Sequence, residues 1–102
     1  MFTQSVSLKN YDEKNHTFTG ESNRLLKCRS IADALQTIVD ISDYNVSNFA
    51  VEADLDVGYF DKMYNGRKRL NSCITFAKIV NVAELTAEEV MTFTNLFLIQ
   101  EN

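Results

Sequence analysis

The stretch Asn45 to Gly66, NVSNFAVEADLDVGYFDKMYNG, constrains the fold of this chain more than any other. Asn45 is a good helix-capping residue, and the residues after it can run as a short helix until Asp54. Asp54 stands where a corner needs a left-handed backbone, a conformation Asp tolerates better than most residues other than Gly. Asp56 then caps a second helix, its carboxylate accepting from the unpaired amides of the first turn, and Asn65-Gly66 stops that helix. Ala50 is the pivot: its small side chain lets the two helices approach, while Phe49, Ala53, Leu55, Phe60 and Met63 supply the apolar side of the corner. Arg67, Lys68 and Arg69 follow at once.

The flanking helices are placed by caps and periodicity. Ser30 caps, Asp33 sits in the first turn, and Ile31, Leu35, Ile38 and Val39 recur on one face, which predicts a helix to about Ser42. Asp43 and Tyr44 link it to Asn45. Beyond the charged loop 67–71, Cys73, Phe76, Ala77 and Val80 repeat with helical spacing and predict a buried helix ending near Asn81. Thr86 with Glu89 is a capping box that opens a last helix rich in apolar residues: Val90, Met91, Phe93, Leu96, Phe97, Leu98 and Ile99. These cover more of the circumference than one core-facing stripe needs. Either the helix lies in a groove between the others, or its surplus face meets the same helix of a second copy. The expectation taken here is a homodimer held by Phe93, Leu96 and Phe97.

Before Ser30 the pattern changes. Val6 and Leu8 alternate with polar neighbours, Thr17-Phe18-Thr19 is β-prone, and the polar run Asp12 to Asn15 between them is turn-like. This predicts an N-terminal β-hairpin or arm. The domain plan is thus 1–29 for the hairpin or arm, 30–83 for the helical domain with the corner, and 84–102 for the last helix. With 102 residues there is room for one core only. Hydrophobic residues at 45% and charged residues at 24% fit an ordinary globular domain.

Charge is uneven. The net charge of −4 argues against a protein that coats nucleic acid by bulk attraction. Yet four of the chain's ten basic side chains, Lys62, Arg67, Lys68 and Arg69, gather in and just after the second helix of the corner. They form a local edge able to meet phosphates. Residues 84–102 carry four acidic side chains and no basic one.

The residues supply no catalytic constellation. His16 is the only histidine and lies in a polar turn region, where a surface role is expected. Cys28 and Cys73 lack metal spacing and are expected to be reduced packing residues. No Ser-His-Asp or Cys-His arrangement and no phosphate-cradling glycine loop is present, so no enzyme, cofactor or metal is expected. No apolar run approaches the roughly 18 residues that span a bilayer, and the N-terminus has no signal-peptide pattern; the expected compartment is the cytoplasm, with no membrane partner.

The order of helices, corner and charged loop resembles the DNA-binding domain of the phage Cro and lambda-repressor type, the Xre family. The resemblance covers about Ile31 to Val90 and is most specific in FAVEADLDVGYFDKMYNGRKR. Phe49-Ala50, Ala53, Leu55, Tyr59-Phe60, Met63 and Asn65-Gly66 fall on that family's apolar and turn positions, and Phe76-Ala77-Lys78-Ile79 with Val82 looks like its next helix. Asp54 replaces the usual Gly, Val46 stands where a polar residue commonly contacts the backbone, and extra residues precede Thr86. The resemblance implies a mainly α, five-helix Cro/repressor-like helix-turn-helix bundle whose helix 57–64 enters the major groove of double-stranded DNA. Carried over, the outward positions are Asp56, Val57, Gly58, Asp61 and Lys62, with Asn65, Arg67, Lys68 and Arg69 near phosphates. It implies a phage or bacterial transcriptional regulator of repressor type. The alternative is a module with the same fold that binds a protein, as an antirepressor, antitoxin-like or other inhibitor protein does; the acidic balance and the paired aspartates on the helix favour it.

Overall fold

A computed structural model describes residues 23–100 and, ahead of them, the short strands β1 (Tyr11–Asp12) and β2 (Thr17–Phe18). These two strands pair antiparallel, Tyr11 opposite Phe18 and Asp12 opposite Thr17. The rest of the expected hairpin or arm ahead of residue 23, His16 included, lies outside the described residues, while 23–29 are described.

The chain is mainly helical. Among the described residues five helices follow one another: α1 (Ile31–Ile41), α2 (Val46–Glu52), α3 (Val57–Tyr64), α4 (Cys73–Val82) and α5 (Ala87–Ile99). Each begins on a side chain that accepts from the first turn. Ser30 takes the Asp33 amide, Asn45 that of Asn48, Asp56 that of Tyr59, Ser72 that of Thr75 and Thr86 that of Glu89. Such caps are each worth about 1 kcal/mol. In α5 the expected capping box is complete, the Glu89 carboxylate accepting from the Thr86 amide at 2.9 Å.

The corner between α2 and α3 closes as its residues require. Asp54 has φ 60°, and the amides of Asp54 and Leu55 donate back to the carbonyls of Val51 and Ala50 at 3.0 and 2.9 Å. Helix α3 ends in the same way on Gly66, φ 76°, with Gly66 and Arg67 donating to Met63 and Lys62. These left-handed caps satisfy carbonyls that the helix ends leave open. Asp43, after α1, adopts a third left-handed position at φ 65°.

The core is built where the corner meets α1 and α5. Ala50, Ala53, Phe49, Phe60 and Met63 are buried, and the Phe49 and Phe60 rings stack with centroids 5.3 Å apart. Leu35 and Ile38 of α1 join them, as do two leucines from outside any helix, Leu25 and Leu70. Tyr59 and Tyr64 are only half-buried.

Two expected faces are corrected. In α4 the buried positions are Thr75 and Ile79, while Cys73 and Ala77 are exposed and Phe76 and Val80 half-buried. The helix is apolar on several sides, so spacing alone selects no face, and the aromatic stack decides instead. Phe76 lies between Phe93 and Phe97, 4.8 Å from each ring. For α5, Phe93 has no exposed surface and Leu96 almost none, so these two of the expected dimer residues pack inside the monomer, while the third, Phe97, is half-buried against the core. The large apolar side chains left open on α5 are Met91, Leu98 and Ile99, at 66%, 72% and 67% exposure.

A buried ion pair ties the residues before α1 to α5. Glu89 is fully buried, and Arg24 reaches its carboxylate through Nε at 2.7 Å, Nη2 at 3.0 Å and its own backbone amide at 2.6 Å. Burial opposes the charge on Glu89, but the Arg24 and Thr86 donors outweigh it and hold the carboxyl below its usual value. Hydrogen bonding to Glu89 likewise keeps Arg24 above its own.

Candidate nucleic-acid interface

Helix α3 presents two unlike sides because its sequence alternates between them. Phe60 and Met63 face the core, Gly58, Lys62 and Asn65 are exposed on the other side, and Asp56 and Val57 are exposed where the helix begins. A short helix with one face fixed by buried aromatics has its outward face fixed too. Asp61 is half-buried, and Arg67, Lys68 and Arg69, in the loop that the left-handed cap at Gly66 turns out of α3, are all exposed.

Several of these groups are already engaged. The Asp56 carboxylate is the cap of α3, accepting from the Tyr59 amide at 2.9 Å, so its first role is structural. Asp61 accepts from the Asn65 side chain at 3.2 Å and stands 3.9 Å from Arg67 Nη2. Asn65 also donates to the Asp61 carbonyl at 2.9 Å. This cluster holds Arg67 alongside α3 and offsets the Asp61 charge, though an exposed pair at that distance is worth under about 1 kcal/mol. Lys68 places its ammonium 5.8 Å from the centre of the Tyr59 ring. Among the described residues no carboxylate pairs with Lys62 or Arg69.

Gly58 is not demanded by internal packing. A Cβ there would stand 3.4 Å from the Asp56 carboxylate, an ordinary contact, so the glycine chiefly leaves the start of α3 bare.

Two cations come to the surface by routes the sequence does not signal. Lys78 of α4 reaches across to the corner, its Nζ 3.1 Å from the Asp54 carbonyl and 3.3 Å from its carboxylate. The Asp54 charge beside the corner is thereby countered. Arg29, just ahead of α1, lines one groove with Arg67, Lys68 and Arg69, beneath which lie the first turn of α1 and the end of α5. Four basic side chains beside a helix N-terminus make an edge suited to anionic oxygens. Contacts of that kind join positions 24 and more residues apart, beyond any local pattern.

Among the described residues no group of three or more His, Cys, Asp or Glu is placed to hold a metal ion. Cys73 is an exposed free thiol, against the expectation of a packing residue, and Cys28 is a half-buried one whose Sγ lies 3.5 Å from Thr37 Oγ1. No described helix is long and apolar enough to cross a membrane. No family model, curated protein or solved structure matches this chain.

Proposed function

We propose that this chain is a small sequence-specific DNA-binding regulator that works without catalysis or a cofactor. In this reading α2 and α3 act as a helix-turn-helix of the Cro and lambda-repressor type, and α3 lies in the major groove with its N-terminal residues toward base edges. One observation carries it: the side of α3 opposite Phe60 and Met63 is open along its length and runs directly into exposed Arg67, Lys68 and Arg69. Lys62 is the residue suited to a guanine edge, and Val57 to a thymine methyl. Arg67, Lys68, Arg69 and Asn65 serve phosphates. Asp56 stays a cap, and Asp61 reads a cytosine amino group only once it lets go of Asn65 and Arg67.

Neutralising at most about four phosphates gives a shallow salt dependence, log K against log salt falling with a slope no steeper than about −3.6 per subunit. Useful specificity then calls for two subunits on paired half-sites. Binding to duplexes from upstream of the chain's own gene, followed by fluorescence anisotropy across a salt series, tests this. Replacing Lys62 by Ala is expected to cost about 1–3 kcal/mol and to relax the preference at one base pair, whereas Arg67→Ala weakens all sequences alike and lowers the slope by about one.

A second reading rests on the acidic groups of the same surface. Asp56 is exposed and Asp61 half so, on a chain of net charge −4, which suits a protein partner with a basic surface. Under it the chain is an inhibitor or antirepressor-like module. It ignores DNA even at low salt and co-purifies with another chain, and that outcome would sink the first reading.

A further inference from the structure

Two stretches far apart in sequence place their cations in one groove. Arg29, just ahead of α1, and Arg67, Lys68 and Arg69, just after α3, line it together with the start of α1 and the end of α5, and no acidic residue lines it. On a chain with 14 acidic against 10 basic side chains that segregation is costly, because four like charges repel one another. The backbone beneath them is held. Gly66, at φ 76°, turns the loop out of α3, and the Gln100 side chain bonds the backbone of Leu70 through both its nitrogen and its oxygen, which anchors Arg69. At Arg29 the amide donates to Asp33 Oδ2 at 3.1 Å. Among the described residues no carboxylate pairs with the side chain of Arg29, Lys68 or Arg69, and Arg67 has only its exposed contact with Asp61.

The groove is also more than a charged edge. Its volume is about 730 Å³, far above what one phosphate fills and within the range of small-molecule sites, and the exposed Ile99 side chain stands among its lining residues. We infer that it is a binding site for a nucleoside diphosphate. Arginine forks match phosphoryl oxygens two bonds at a time, and three of the four cations are arginines. The diphosphate lies among Arg29, Arg67, Lys68 and Arg69, and the nucleoside covers Ile99. Arg29 stands outside the run from Asp56 to Arg69 that meets DNA, so it distinguishes this site from the reading face. Arg67, Lys68 and Arg69 belong to both. A bound diphosphate therefore competes with the DNA backbone for them and releases the duplex. That consequence rests on the DNA-binding reading; the site itself does not.

Isothermal titration calorimetry of the full chain, without DNA and without divalent cations, tests the site with adenosine diphosphate (ADP), pyrophosphate and adenosine as probes. ADP is expected to bind in the micromolar range, roughly what a ligand of its size reaches in an open groove, with pyrophosphate about tenfold weaker and adenosine not detected. Arg29→Ala and Arg69→Ala each weaken ADP about tenfold or more. Lys27→Ala, the same loss of charge at an exposed position near Arg29 but outside the groove, leaves ADP binding unchanged. Ile99→Ser brings ADP down toward pyrophosphate. These positions are all exposed, so an unchanged helical circular dichroism spectrum accompanies each variant. No ADP binding by the full chain, pyrophosphate as tight as ADP, or an equal loss from Lys27→Ala would each overturn the site. The competition is read separately, by fluorescence anisotropy: ADP is expected to raise the apparent Kd for duplex DNA, and Arg29→Ala to remove that effect. ADP bound with duplex affinity undisturbed would overturn the competition. A chain that binds ADP but no duplex keeps the site and counts only against the regulatory role.

Discussion

Helix α3 carries its large apolar residues on one side, while α5 carries them nearly all the way round. In α3 the polar groups Asp56, Gly58, Asp61 and Lys62 leave Phe60 and Met63 a single inward orientation, and the helix takes it. In α5, Val90, Met91, Phe93, Leu96, Phe97, Leu98 and Ile99 permit several, and the choice falls to the neighbours. Phe76 of α4 selects Phe93 and Phe97 by stacking, and Arg24 draws Glu89 to the same side. A polar residue, by excluding an orientation, informs more about a helix face than an additional apolar one.

The largest expected effect tests that contrast within α5 itself. Phe93→Ala removes a fully buried ring from the aromatic stack and is expected to cost about 3–5 kcal/mol in urea unfolding. Leu98→Ser, five residues further along the helix but exposed, is expected to shift stability by no more than about 0.5 kcal/mol at low protein concentration. Equal losses for the two variants would show that α5 is rotated from the orientation described.

The same contrast explains how much was legible beforehand. The caps at Ser30, Asn45, Asp56 and Thr86, the left-handed Asp54 and the stop at Gly66 are local, each settled by a few neighbouring side chains and amides, and they agree with the sequence. The outward positions were implied by the resemblance to the Cro and lambda-repressor type instead; of these, Asp56, Val57, Gly58, Lys62, Asn65 and Arg67 to Arg69 are exposed and Asp61 is half-buried. The buried faces of α4 and α5 did not follow, for the reason given above. Leu25 and Leu70 enter the core from loops with no period to mark them. Lys78 meets Asp54 across 24 positions, and Arg24 meets Glu89 across 65. Such pairs exist only once helices have docked.

The Arg24–Glu89 pair supplies an effect of intermediate size. Glu89→Gln keeps the shape but loses charge-assisted bonds, at an expected cost of about 2 kcal/mol at neutral pH. Arg24 is 41% exposed, so water limits what the pair contributes. Because the folded state holds the Glu89 carboxyl below its ordinary 4.5, the unfolded chain binds the proton more readily. Its contribution is complete above that value and is lost as pH falls through the lower, folded one. Midpoints of urea unfolding measured from pH 7 down to pH 3 should fall more steeply for the parent chain than for Glu89→Gln. Parallel profiles would mean that the ion pair is not formed in solution.

The smallest effects concern the two ends of the corner, where one kind of backbone is held by two kinds of residue. Gly66 and Asp54 have nearly the same φ, 76° and 60°, and both close a helix by the same pair of backbone bonds. A Cβ at Gly66 would lie 3.6 Å from that of Ala32, an ordinary contact, so Gly66→Ala meets no clash and its cost is the left-handed backbone alone, about 1 kcal/mol. Asp54→Gly removes that same backbone cost but also the contact of its exposed carboxylate with Lys78, which is worth under about 1 kcal/mol. The change is thus expected to be neutral or stabilising by up to about 1 kcal/mol, opposite in sign to Gly66→Ala. Thermal unfolding of both variants measures the pair directly. If Asp54→Gly destabilises as much as Gly66→Ala does, the Lys78 contact holds the corner closed, and α4 must be counted among the elements that aim α3.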